Sequence, residues 1–132
     1  MKKLIIIISV IVLISIIYFS MMKEENSVKN PDFDKVLRVI ESEIYKDLNR
    51  VEDREQYINR IIQMKGTVEE VDTLNKQLIF EAVEGRIIVI LQKDQDINGI
   101  MEEDQIVVRG IGIIDEEDIK TLRLVTSIIV NN

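Results

Sequence analysis

Asn59-Arg60-Ile61-Ile62-Gln63-Met64-Lys65-Gly66-Thr67-Val68-Glu69-Glu70-Val71-Asp72 is the stretch on which the architecture turns. It predicts one strand longer than the usual 5–6 residues, with Gly66 inside it as the mark of a bulge or sharp bend. A long bent strand can serve two halves of one sheet, which is how a five-stranded barrel closes.

Downstream, short β-branched runs alternate with polar turn clusters, and all five glycines lie in this half (Gly66, Gly85, Gly99, Gly110, Gly112). That pattern predicts four further strands: Lys76–Val83, Arg86–Gln92, Gln105–Ile114 and Thr121–Val130. Glu84-Gly85 is expected as a tight hairpin turn in which Gly supplies positive φ. Asp72-Thr73-Leu74-Asn75 and Asp115-Glu116-Glu117-Asp118 supply two more turns. Period-2 alternation assigns Leu78, Phe80 and Ala82 to one face, and likewise Leu122, Leu124, Thr126, Ile128 and Val130. Ile87 to Leu91 is apolar on both sides and predicts a strand buried on both faces. Gly110 and Gly112 mark bends in the fourth strand. Residues 57–132 therefore form the barrel, and the fold class is mainly β with N-terminal helices.

Upstream, Phe33, Val36, Leu37, Ile40, Ile44, Leu48 and Val51 recur at three-and-four spacing behind Pro31 and a capping Asp32. This predicts an amphipathic helix from about Asp32 to Val51, in a segment running 32–56, which packs on the barrel. Asp47 interrupts the strict heptad seam that a dimerising coil needs. Residues 23–31, polar and aperiodic, read as a linker.

The chain opens with Lys2 and Lys3 followed by Leu4 to Met22, a run without charge, Gly or Pro. At ~1.5 Å per residue it covers roughly 28 Å, close to the ~30 Å hydrocarbon core of a bilayer. It is longer than a signal-peptide core and ends in Tyr18, Phe19, Ser20, Met21 and Met22 rather than a small-x-small cleavage pattern. Residues 1–22 thus read as an uncleaved signal anchor, a single pass through the cytoplasmic membrane. Lys2 and Lys3 outweigh Lys23, which Glu24 and Glu25 follow, so the N-terminus is expected inside and the C-terminal domain outside.

Lys2 and Lys3 aside, 15 basic residues face 24 acidic ones, a net charge of −9 on the body. This opposes nucleic acid and anionic lipid, since binding either needs a basic stripe. The chain holds no Cys and no His, which removes disulfides, thiolate ligands, the usual general base and the commonest transition-metal ligand. No Ser-x-x-Lys or Gly-x-Ser-x-Gly arrangement offers a nucleophile. A non-enzymatic function without catalytic residues is expected.

Gly66-Thr67-Val68, Gly85-Arg86-Ile87-Ile88-Val89, Asp104-Gln105-Ile106-Val107-Val108-Arg109-Gly110 and Ser127-Ile128-Ile129-Val130 carry a resemblance. From Met64 to Val130 the chain resembles the small OB-fold proteins of the bacterial envelope, the tRNA-anticodon-like putative lipoprotein group and the periplasmic OB-fold group. The resemblance implies an OB-like β-barrel. It departs from the lipoprotein group in having no lipobox cysteine, so the helix takes over anchoring. Lys93 to Asp104 is too short for the helix many OB folds insert there, which leaves a five-stranded SH3-like barrel as the alternative.

One loop has metal-binding grammar. Asp94-Gln95-Asp96-Ile97-Asn98-Gly99 follows the calcium template of oxygen-bearing side chains on alternate residues before a Gly turn, with Glu102 nearby. Its twelfth position is Gln105, which cannot give the closing bidentate carboxylate. Asp94, Asp96, Asn98 and Glu102 are therefore candidate ligands of a calcium-responsive loop, against a plain Asn-Gly turn. The acidic runs Glu69-Glu70-Val71-Asp72, Glu102-Glu103-Asp104 and Asp115–Asp118 would form a cation-attracting rim if they met at one end of the barrel. Single-stranded nucleic-acid binding, an OB-fold habit, has only Phe33, Tyr45, Tyr57 and Phe80 for base stacking. The expected function is a membrane-tethered module that meets an envelope protein or peptide through its groove or exposed strand edge.

Overall fold

The computed structural model describes residues 2–130. Its first element, α1 (Lys2–Lys29), is a single helix long and apolar enough to cross a membrane. Within it the Ser9 and Ser15 hydroxyls donate to the carbonyls of Ile5 and Ile11, both at 2.9 Å, so neither is left unpaired on an apolar helix. The expected linker at 23–31 is largely absent: α1 runs on to Lys29, and Val28 is fully buried.

The expected helix over Asp32–Val51 is replaced by shorter pieces. A 3-10 turn at Phe33–Lys35 follows Asp32, whose carboxylate accepts from the Asp34 N–H. Then come strand β1 (Leu37–Ile40), helix α2 (Glu41–Leu48), helix α3 (Val51–Arg54) and a 3-10 turn at Glu55–Tyr57. Val36, Val39 and Ile40 are β-branched and sit beside an available sheet edge. Parallel pairing of Leu37 with Ile62 through Ile40 with Lys65 satisfies their backbone there.

The remaining strands are β2 (Ile61–Thr67), β3 (Glu70–Asp72), β4 (Gln77–Ala82), β5 (Gly85–Leu91), β6 (Gln105–Ile114) and β7 (Thr121–Val130). With β1 they make one open, mixed, seven-stranded sheet in the order β1-β2-β6-β7-β5-β4-β3. The β1–β2 and β5–β7 pairs are parallel and the other four antiparallel. The long first strand is thus two strands, and the break falls at Val68–Glu69 instead of Gly66. Val68 donates to Asp104 O at 2.9 Å and Glu69 to Ile79 O at 2.9 Å, so the backbone changes partner between them. Gly66 stays in register with Ile106; a Cβ there would lie 2.9 Å from Glu41 Oε2 and 3.1 Å from the Phe80 ring.

Two local expectations are corrected. In the β4–β5 hairpin Ala82 pairs with Gly85, so Val83 and Glu84 form the tip and Gly85 is a ladder residue without positive φ. Its lack of a side chain instead admits Lys120 O, 2.9 Å from where a Cβ would stand. In β7, Thr126 takes φ +49° where the β6–β7 register shifts between Arg109 and Ile111. The shift inverts the alternation, so Ser127 is fully buried and Ile129 joins Leu122 and Leu124 against the core, in place of Thr126, Ile128 and Val130.

The core gathers Ile62, Met64, Leu78, Phe80, Ile87, Val89, Val108, Leu122 and Leu124 from the strands, with Ile44, Tyr45 and Leu48 from α2 and Tyr57 after α3. Burying each of the large aliphatic side chains stabilises the fold by about 1.5–3 kcal/mol. Ile88, on the opposite side of β5, is buried too, in register with Ile79 and Arg123.

Candidate functional site

A groove of about 660 Å³ opens between α2 and the β4–β5 hairpin. Helical spacing places Glu41, Ser42, Tyr45, Lys46 and Asn49 along one wall, with Arg50 at the end; Ala82 and Glu84 form the other. The floor is fixed by hydrogen bonds. Tyr45 donates its hydroxyl to Glu41 Oε1 at 2.6 Å, and the Thr67 N–H donates to Glu41 Oε2 at 3.0 Å. Asn49 Nδ2 donates to Tyr45 O at 2.9 Å. Burial, reinforced by the Glu41 carboxylate, pushes the Tyr45 phenol well above its ordinary pKa. Both oxygens of Glu41 are engaged, and Lys46, Arg50 and Glu84 are exposed. The groove therefore offers shape and hydrogen bonding of a size that suits a ligand or side chain.

Asp47, the residue that interrupts the heptad, has a structural role. It accepts from the Tyr57 hydroxyl and from Gln56 Nε2 at 3.2 Å, tying α2 to the turn before β2. Burial, then this bond, pushes the Tyr57 phenol up as well.

A second constellation joins α1 to the sheet. Arg109 Nη1 donates to Val28 O at 3.0 Å and Lys29 O at 3.5 Å, the last carbonyls of α1. Its Nε and Nη2 both reach Gln63 Oε1, at 3.1 and 3.0 Å. Gln92 Nε2 bridges Glu25 O at 3.0 Å and Thr126 O at 2.8 Å. Lys29 pairs with Asp94 at 2.5 Å. Arg109 is only 6% exposed, yet no carboxylate among the described residues pairs with it. The negative end of the α1 dipole answers its charge instead. Burial, and to a smaller degree the Arg38 charge, pull the guanidinium below its usual pKa.

The calcium-like loop is held by protein groups. Asp94 is taken by Lys29, and that bond lowers its carboxyl below the usual range. Asp96 Oδ1 accepts from the Asn98 N–H at 2.9 Å, and Ile97 is buried in the core. Gly99 has φ +102°, a turn that demands glycine. Glu102 lies by a shallow hollow with Val71, Ile100, Met101 and Glu103. Lys76 Nζ donates to Lys93 O and, at 2.9 Å, to Gln95 O, which fastens the start of the loop. Among the described residues no three acidic side chains converge as a metal would require.

Two of the three acidic runs meet: Glu103 N donates to Val68 O at 2.7 Å, beside Glu69 and Glu70. Asp115–Asp118 connects the other ends of β6 and β7, so no common rim forms. Phe80 lies in the core with Tyr45 and Tyr57, while Phe33 stacks on Arg109, leaving no row of exposed sheet aromatics among the described residues.

The comparisons with protein-family models, curated proteins and solved structures find no match to this chain.

Proposed function

We propose that this chain is a membrane-tethered, non-enzymatic interaction module: the sheet domain stands on the outer face of the cytoplasmic membrane and engages a protein or peptide of the cell envelope. The observation that carries the reading is α1, whose membrane-length segment exposes apolar side chains while its last turn is docked on the sheet. Lys2 and Lys3 set the N-terminus inside.

The sheet is read as an OB-like barrel. β2 and β3 are parted only by Val68 and Glu69, yet stand at opposite ends of the order β2-β6-β7-β5-β4-β3. Two strands so closely joined at opposite ends of that order, with β5 parallel to β7, support closure of this kind. α2 then covers one end of the barrel from the N-terminal side, and β1 adds a strand outside it. The resemblance to bacterial envelope OB-fold proteins is proposed on the same pattern.

The groove between α2 and the hairpin is the proposed contact surface. Photocrosslinking groups placed at Lys46 and at Glu84 are expected to capture the same envelope protein, and one at Leu74 to capture none. Capture from Leu74 alone would move the contact surface away from the groove.

A further inference from the structure

We infer that Arg109 and Gln92 form a latch that makes the membrane helix and the sheet domain one lever, fixing the direction in which the domain faces.

The chain builds this junction against local preference. Thr126 is β-branched, yet adopts φ +49°, a conformation such residues rarely take. Gly110, beside Arg109, is needed because a Cβ there would stand 2.0 Å from Ser127 Oγ. Together these residues make the register shift at Arg109/Ile111. The shift lies directly under the turn of α1 that Arg109 holds, as expected of a bulge that aims a side chain. Gln92 Oε1 and Thr126 Oγ1 are buried there with no partner among the described residues. A strained β-branched residue and two of the four buried unpaired side-chain atoms among the described residues coincide here, which marks a junction kept for positioning as well as stability.

The contacts also constrain every direction of swing. Arg109 grips the final carbonyls of α1 from β6, and Gln92 grips Glu25, one turn earlier, from the end of β5. Lys29 and Asp94 add a third tie. Two grips a helical turn apart fix both tilt and rotation. A tug or displacement at the domain is thereby conveyed to the helix without a flexible linker. The latch does not depend on which partner the domain takes.

The test uses the full chain in lipid nanodiscs, with spin labels on cysteines, of which the native sequence has none. Labels at Ser20→Cys and Val83→Cys report helix against domain. A second pair at Leu74→Cys and Val83→Cys reports the domain alone; Leu74 and Val83 are both fully or nearly exposed. The unaltered latch should give a single narrow Ser20–Val83 distance. Arg109→Gln and, separately, Gln92→Ala should each lose that narrow peak while the Leu74–Val83 distance is unchanged. Should Arg109→Gln also disturb the domain pair, Gln92→Ala decides. A broad helix-to-domain distance with the latch intact, or a narrow one in Gln92→Ala, would overturn the inference.

Discussion

The guanidinium carbon of Arg109 lies 5.2 Å from the ring centroid of Phe33, so the cation that holds the end of α1 is roofed by an aromatic from the segment that follows the helix. The ring face supplies part of the negative potential that a carboxylate would otherwise give. Phe33→Ala should cost about 1 kcal/mol, and Phe33→Tyr should cost little. Thermal melts of these variants beside Phe33→Leu check this; a Leu variant as stable as the parent would show that the ring contributes only bulk.

Gly110 and Gly112 make opposite demands on their neighbours. At Gly112 a Cβ would meet the backbone carbonyl of Tyr57 at 2.0 Å; at Gly110 the obstacle is the Ser127 hydroxyl, also at 2.0 Å. A backbone atom cannot step aside, so Gly112→Ala is expected to exceed the usual ~1–3 kcal/mol of overpacking, and Gly110→Ala to fall within it. Adding Ser127→Ala should recover part of the Gly110→Ala loss and none of the Gly112→Ala loss, measured by denaturant midpoints.

The two buried phenols set the alkaline limit. Tyr45 and Tyr57 hold their protons more tightly in the fold than the ordinary value near 10. The folded state therefore binds more protons than the unfolded state above pH about 10, and stability falls as pH rises past that point. Tyr45→Phe should lower stability at neutral pH, because Glu41 loses a donor, and should flatten the alkaline decline. Unfolding curves between neutral and alkaline pH test both effects; an unchanged slope would contradict the assignment.

Asp94, the leading ligand of the calcium-like loop, is committed to Lys29. Both partners are exposed, so Asp94→Ala should leave stability nearly unchanged. Millimolar calcium should leave the melting temperature unmoved with Asp94 present or absent. A calcium-dependent rise lost in Asp94→Ala would restore the loop as a metal site.

Much of the sheet was readable because its signals are local. Gln105–Ile114 and Thr121–Val130 appear with the expected ends, each filled with β-branched residues and preceded by an acidic turn cluster, Glu102–Asp104 and Asp115–Asp118. Residues 36–40 were not readable. Val36, Leu37 and Ile40 fit a helical stripe, while Leu37 and Val39 fit alternation equally well. The edge of β2, some twenty residues on, decides between them. Arg109 was missed for the same reason. A lone charge in an apolar strand reads as solvent-facing, and its acceptors are carbonyls of Val28 and Lys29, far away in sequence. The available hint was its neighbour Gly110 in an otherwise β-branched run. Glu41, Tyr45 and Asn49 stand four residues apart along α2 and its C-terminal cap, but their groove exists only where the hairpin at Ala82–Glu84 meets them, which no local signal marks.

The most direct measurement is the side of the membrane on which the domain lies. A single cysteine at Val83, the exposed hairpin tip, is treated in intact cells with a membrane-impermeant maleimide, and the membranes are then washed with alkaline carbonate. A tethered outer domain predicts labelling without permeabilisation and full retention in the membrane pellet. Labelling only after lysis, or release of the protein by the wash, would contradict it.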